Sequence, residues 1–242
     1  MAGIDGPAKF PSTRWTLILS ARESPAARRS AFDELLRDYW RPLYAFARRK
    51  GCDRERAEDA VQGFMVHLLE RDFLSRLDPS RGRMRSYLRA AMEHYLVNLH
   101  EKERAQKRGG GALSVSLSSL SLDFELAERS LLETPFEPES AFDREWALTL
   151  MERAMKKLEA EFQSGQRRAP FEAVADFFRG GETPSYKDVA ARHGMTIPQL
   201  KSLLHRARLR YRELVEQEAV DTVEEPGNGA FEVRELLGYL AR

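Results

Sequence analysis

Between Thr183 and Arg212 the chain runs Thr-Pro-Ser-Tyr-Lys-Asp-Val-Ala-Ala-Arg-His-Gly-Met-Thr-Ile-Pro-Gln-Leu-Lys-Ser-Leu-Leu-His-Arg-Ala-Arg-Leu-Arg-Tyr-Arg, and its punctuation permits few folds. Ser185 is placed to cap a first short helix, with Asp188 at its third position. Gly194 stands where the chain must reverse, because glycine enters a left-handed conformation without a steric cost. Thr196 and Gln199 form the Thr-x-x-Gln capping box of a second helix, whose first turn tolerates Pro198. Leu200, Leu203, Leu204, Ala207, Tyr211 and Leu214 recur at helical spacing as one apolar stripe, while Lys201, His205, Arg208 and Arg212 make a cationic one. The pattern fits a helix-turn-helix whose second helix enters a DNA major groove. It also fits a capped helical hairpin with a solvated basic face. The caps make Gln199 a structural residue rather than a base reader, and the stripe assigns Leu203 to the core.

A net charge of +1 argues against a polyanionic partner only until its distribution is seen. From Arg81 to Arg108 the cations are Arg81, Arg83, Arg85, Arg89, Lys102, Arg104, Lys107 and Arg108, opposed by Glu93, Glu101 and Glu103. From Asp123 to Glu145 acids dominate, and from Glu213 to Glu232 there is no Lys or Arg. Two basic blocks, separated and followed by acidic ones, point to two DNA-facing surfaces. The single Cys52 excludes an internal disulfide and fits a reducing compartment. No apolar run is long enough to cross a bilayer, and the first residues lack the order of a signal peptide, so a cytoplasmic protein is expected.

Every periodic segment is helical, and the expected class is all-α: two small helical domains joined by a flexible linker. After Phe10-Pro-Ser-Thr-Arg-Trp15, a short helix is expected to end at Ser20. Phe32, Leu35, Leu36, Tyr39, Trp40, Leu43, Tyr44 and Ala47 then share one face of a helix that Pro42 should kink or divide. Gly51 ends it and Asp53 starts another, with Ala57, Ala60, Val61, Phe64, Met65 and Leu68 inward and Glu55, Glu58, Asp59 and Gln62 off that face. A Pro-Gly loop over 73–83 leads to a helix with Met84, Tyr87, Leu88, Ala91, Met92, Tyr95, Leu96 and Leu99 on its apolar stripe. Its cations can grip phosphate and its tyrosines can stack on unpaired bases, although their place on the stripe favours the core. Gly109-Gly-Gly111 breaks the chain. Trp146, Leu150, Met151, Ala154, Met155 and Leu158 open the second domain, and Phe171, Val174, Phe177 and Phe178 form a further helix before the helix-turn-helix.

His67, His94, His100, His193 and His205 are scattered, without a paired-histidine metal motif, paired cysteines or a glycine-rich phosphate loop. The expectation is a protein that is not an enzyme and holds no metal or cofactor.

Taken in order, these segments resemble bacterial RNA polymerase sigma factors of the two-domain extracytoplasmic-function (ECF) type. Ala57-Glu-Asp-Ala-Val-Gln62 is similar to the core-binding motif of sigma region 2. Arg81-Gly-Arg-Met-Arg-Ser-Tyr-Leu88 and the helix after it resemble the segment that opens the promoter and reads its −10 element. Tyr186-Lys-Asp-Val-Ala-Ala190, Leu200-Lys-Ser202 and His205-Arg-Ala-Arg208 resemble region 4, which reads the −35 element. Phe10–Trp15 and Lys107–Gly111 are similar to a subgroup with a C-terminal extension. The chain departs from the pattern at Gly63, where the motif usually has glutamate, at His94 and Asn98 in the −10 reader, and at Leu203, where an arginine is common.

The resemblance implies a region 2 domain over 10–108, a linker over 109–140, a region 4 domain over 141–216 and a C-terminal extension over 217–242. It implies a transcription initiation factor whose partners are core RNA polymerase, through its clamp helices and flap, and promoter DNA. Glu58, Asp59 and Gln62 would meet polymerase. Arg81, Arg83, Arg85, Tyr87, His94, Asn98 and Lys102 would handle the −10 element, and Lys201, Ser202, His205, Arg206 and Arg208 the −35 element. The acidic linker would lie in the basic channel of the polymerase. An anti-sigma factor is a further expected partner; separately, the acidic composition of the tail 213–242 suggests that it folds back on the basic faces and holds the free protein inactive. The rivals are a helix-turn-helix regulator that never meets polymerase and a module whose basic faces bind acidic proteins.

Overall fold

The computed structural model describes residues 24–70, 84–106, 137–164, 171–178 and 183–220, together with Gly238. The helix expected before Ser20, the 73–83 loop with Arg81 and Arg83, the glycine run at 109–111, all but the end of the expected linker, and most of the expected C-terminal extension lie outside the described residues. The class is all-α: the described residues form seven helices and no strand. They are α1 (Pro25–Arg49), α2 (Arg54–Glu70), α3 (Met84–Gln106), α4 (Pro138–Ser164), α5 (Glu172–Ala175), α6 (Tyr186–Arg192) and α7 (Ile197–Val220). They divide into two compact units, the first comprising Met1–Leu148 with Val220–Arg242 and the second Thr149–Ala219.

The first unit is built around α1. Ser24 caps it by accepting a bond from the Ala27 amide at 3.1 Å, and Pro25 sits in the first turn, where no amide partner is needed. Six consecutive residues, Pro42 to Ala47, are buried, so α1 is enclosed on all sides over that stretch. Of the two outcomes expected at Pro42, division does not occur: α1 runs unbroken to Arg49. The proline cannot donate to the Asp38 carbonyl one turn back, but burial among α1's neighbours holds the helix together across that missing bond. Helix α2 starts at Asp53, whose carboxylate accepts the Arg56 amide at 2.9 Å. Helices α1, α2 and α3 pack on one another, with Leu43, Tyr44, Phe64, Leu88 and Met92 among the fully buried side chains. Each such side chain contributes roughly 1.5–3 kcal/mol of burial.

The start of α4 belongs to this unit, and the expected boundary at residue 141 moves to 148/149. Trp146 does not open a second domain: it stacks on Tyr39 of α1, with centroids 4.5 Å apart and planes 14° from parallel. Phe142 lies between the rings of Tyr39 and Phe46, 6.5 and 6.4 Å away. Asp143 takes Arg85 at 2.7 Å and Arg89 at 3.2 Å, both from α3. Glu145 takes Arg41 of α1 at 3.1 Å. Part of the acidic block therefore faces arginines of its own chain instead of standing free.

In the second unit, Ala154 and Leu158 of α4 pack with Leu214 of α7. Ala173, Val174, Val189, Ala190, Leu200, Leu203, Leu204 and Ala207 form the other cluster. The helix expected around Phe171–Phe178 is only one turn, Glu172–Ala175. Its phenylalanines spread over the seams: Phe171 lies edge-on to Phe162, Phe178 edge-on to Tyr211, and Phe177 beside Tyr186. The Tyr211 hydroxyl donates to the Met151 carbonyl at 3.2 Å, and burial pushes its pKa up to about 12.

Candidate functional site

The hairpin of α6 and α7 is closed by local chemistry. The Ser185 hydroxyl accepts the Asp188 amide at 3.4 Å. At the far end Gly194 has φ +63°, its amide donates to the Ala191 carbonyl, and the Met195 amide donates to the Ala190 carbonyl at 2.8 Å. These two bonds satisfy carbonyls that the helix end would leave open, and only a left-handed residue allows both. Thr196 and Gln199 then exchange bonds: the Thr196 backbone amide donates to the Gln199 side-chain Oε1 at 2.8 Å, and the Gln199 backbone amide to the Thr196 hydroxyl at 3.3 Å. Leu203 is buried. Gln199 is thus a cap and Leu203 a core residue.

On the outer side of α7, Lys201, Ser202, His205, Arg206 and Arg208 are all exposed. At about 100° per residue, Lys201, His205, Arg208 and Arg212 fall within about 60° of each other, whereas Arg206 lies on the opposite flank of the exposed arc. No acid of the described residues pairs with His205, Arg206 or Arg208, and Lys201 rests its ammonium over the Tyr186 ring at 5.6 Å. The next turn differs sharply. Arg210 is held by Glu161 at 2.7 Å and by Glu213 at 2.7 Å, which raises its pKa and holds the Glu161 carboxyl below its ordinary range. Arg212 pairs with Glu216 at 3.1 Å. Beyond it the fully buried Glu218 sits between Arg153 at 2.8 Å and Lys157 at 2.5 Å. Ile197 and Leu209 are exposed beside the cations. They lie off the buried stripe, the sequence signal that would have revealed them.

On α3 the expected set splits. Tyr87, His94, Asn98 and Lys102 are exposed. The first three fall within about 40° of one another, and Lys102 lies about 40° further round. Arg85 is a correction. It is buried, with its guanidinium on Asp143, and so offers nothing to DNA. The tyrosines also separate: Tyr87 is 47% exposed, against its expected place on the apolar stripe, while Tyr95 is half-buried beside Phe64 and His67. Burial raises the Tyr95 pKa. A Cβ on Gly63 would collide with the Tyr95 hydroxyl, so the side chain missing from α2 at that position makes room for α3.

On α2, Asp59 is exposed, and Gln62 and Glu58 are partly so, with Glu58 tied to Arg54 at 3.0 Å. Val66 and Leu69 are exposed at 52% and 48%. With Asp59 and Gln62 they follow the i, i+3, i+7, i+10 spacing of one face, which therefore begins polar and ends apolar. Sequence reasoning noted its acids but not its apolar end. Cys52 is buried. Among the described residues no group of three or more His, Cys, Asp or Glu is placed to hold a metal, and no helix is long and apolar enough to cross a membrane.

No family model, no curated protein and no solved structure matches this chain.

Proposed function

We propose that this chain is a transcription initiation factor of the ECF sigma type, which binds core RNA polymerase in the cytoplasm and directs it to promoters. The observation that carries the reading is the outer side of α7: a capped helix-turn-helix presents Lys201, His205, Arg206 and Arg208, and no acid among the described residues pairs with them. Lysine and arginine in that setting contact phosphates and fix register, while Ser202 and His205 are suited to base edges. The α3 face supplies a different chemistry. Tyr87 offers an exposed ring for an unstacked base, and His94, Asn98 and Lys102 supply polar and cationic contacts along the same helix.

The rival, a DNA-binding regulator that ignores polymerase, leaves the α2 face without a use. Two large apolar side chains, Val66 and Leu69, are exposed next to Asp59 and Gln62. A protein contact with an apolar centre and a polar edge explains that combination. The acids orient the encounter and the apolar pair supplies the contact.

The test is reconstitution with core polymerase on promoters mapped from transcription start sites after overexpression. The unaltered chain should co-purify with polymerase and initiate at defined sites. Leu69→Asp should abolish co-purification while leaving duplex binding intact, and Arg208→Ala should do the reverse. A chain that binds duplex DNA tightly, never retains polymerase and is indifferent to Leu69→Asp would establish the rival.

A further inference from the structure

Helix α7 opens on an apolar side chain that its own folding does not require. Ile197 is the first residue of the helix and is 41% exposed. The cap is made by Thr196 and Gln199, which exchange bonds across the first turn. The apolar staple that sets the entry angle falls to Met195 and Leu200, which both pack in the cluster around Leu204. Ile197 belongs to neither pair and to neither of the apolar clusters described for this unit. Its β-branch also makes it a weaker helix former than alanine.

Its position among the cations gives it a use. At about 100° per residue, Ile197 lies about 20° from Arg208, about 40° from Lys201 and about 80° from His205, and it stands one turn ahead of Lys201. No acid among the described residues pairs with these three. A polyanion drawn to the row meets Ile197 at its leading end, and a helix in a major groove sends its first residues toward base edges. The Ile197 side chain has no atom that can bond to a phosphate or to a polar base edge. The apolar group that a base displays in the major groove is the C5 methyl of thymine. We propose, resting on the reading of α7 as a DNA-binding helix, that Ile197 packs against a thymine methyl and fixes an A·T pair, in one orientation, at that place in the bound element. Leu209 is exposed as well, but Glu213 stands one turn beyond it, where the helix turns acidic and phosphates are repelled.

The test takes duplexes recovered from a randomised pool by the full chain, alone and with core polymerase. Each thymine of a recovered sequence is replaced in turn by deoxyuridine, which removes the methyl and keeps every hydrogen-bonding group. At one thymine the replacement should weaken binding by the unaltered chain about fourfold, the worth of one buried methyl group. Ile197→Ala should be indifferent to that same replacement. It should also keep the salt slope of the unaltered chain, because no phosphate contact is lost, and melt at the same temperature or higher. If no single replacement matters, or if one matters equally to both chains, the Ile197 contact is overturned while the DNA-binding reading stands. If the full chain recovers no sequence and binds no duplex, alone or with polymerase, that reading falls and the methyl contact falls with it.

Discussion

Replacing Asp143 with alanine removes the carboxylate that faces Arg85 inside the first unit. The Arg85 side chain is 5% exposed and lies 2.7 Å from Asp143, so its charge cannot reach water without moving α3. Arg89, the second partner, is 29% exposed and can turn outward. Removing one partner of a buried ion pair costs about 3–5 kcal/mol, a large part of the roughly 5–15 kcal/mol that holds a domain together. Replacing both partners with apolar residues of similar size, Arg85→Met with Asp143→Leu, should return the stability to within about 1 kcal/mol of the original. The coupling is then several kcal/mol, far above the roughly 0.2–1 kcal/mol of a surface pair. Urea unfolding is a well-placed assay because Trp15, Trp40 and Trp146 all precede residue 149. Tryptophan emission therefore follows the first unit alone, while far-ultraviolet circular dichroism follows all the helices. Asp143→Ala should shift the emission midpoint sharply and leave the second unit's transition in place. A loss below about 1 kcal/mol, or an additive double variant, would refute the assignment of residues 138–148 to the first unit's core.

Gly63→Ala gains about 1 kcal/mol of helix propensity but drives a methyl group into the Tyr95 hydroxyl, at a typical cost of about 1–3 kcal/mol. It should lower the melting temperature in the natural background and raise it when Tyr95 is phenylalanine. Thr196→Ala opens the capping box and should cost about 1 kcal/mol, read as faster amide exchange in the first turn of α7. The Glu161 carboxyl is held below its ordinary range by Arg210, so the stability it lends is present above that range and fades as pH falls through the lowered value. Glu161→Gln should therefore flatten the second unit's stability between about pH 5 and pH 3. Arg206→Gln and Arg208→Gln should each reduce the salt slope of duplex binding by about one, whereas Arg210→Gln should leave the slope unchanged and lower stability.

The hairpin of α6 and α7 was legible because its determinants are local: Ser185, Gly194, Thr196 and Gln199 all bond within a few residues of themselves. Partners distant in sequence were not legible. The apolar template for α3 counted Tyr87 inward and Arg85 outward. The arrival of Asp143, 58 residues away, reverses both by giving Arg85 a counter-charge and rotating the buried arc toward it. Composition likewise counted Glu139, Asp143 and Glu145 as part of a free acidic block, although each meets a cation of its own unit. The exposed pairs Val66–Leu69 and Ile197–Leu209 were visible in principle, as apolar residues out of phase with the buried stripe.

The charge along α7 changes character at Arg210. Toward the start of the helix the cations meet no acid among the described residues, and the helix dipole adds to them. Toward the end Glu161, Glu213 and Glu216 answer the arginines, and Glu218 is held by Arg153 and Lys157. A polyanionic rod drifting near this unit therefore experiences a torque before it touches anything. Encounters that present the wrong end are turned or rejected, so the orientational search narrows while the partners are still separated by solvent. Salt should erase that guidance over a Debye length of about 10 Å at 0.1 M, slowing capture more than it hastens release.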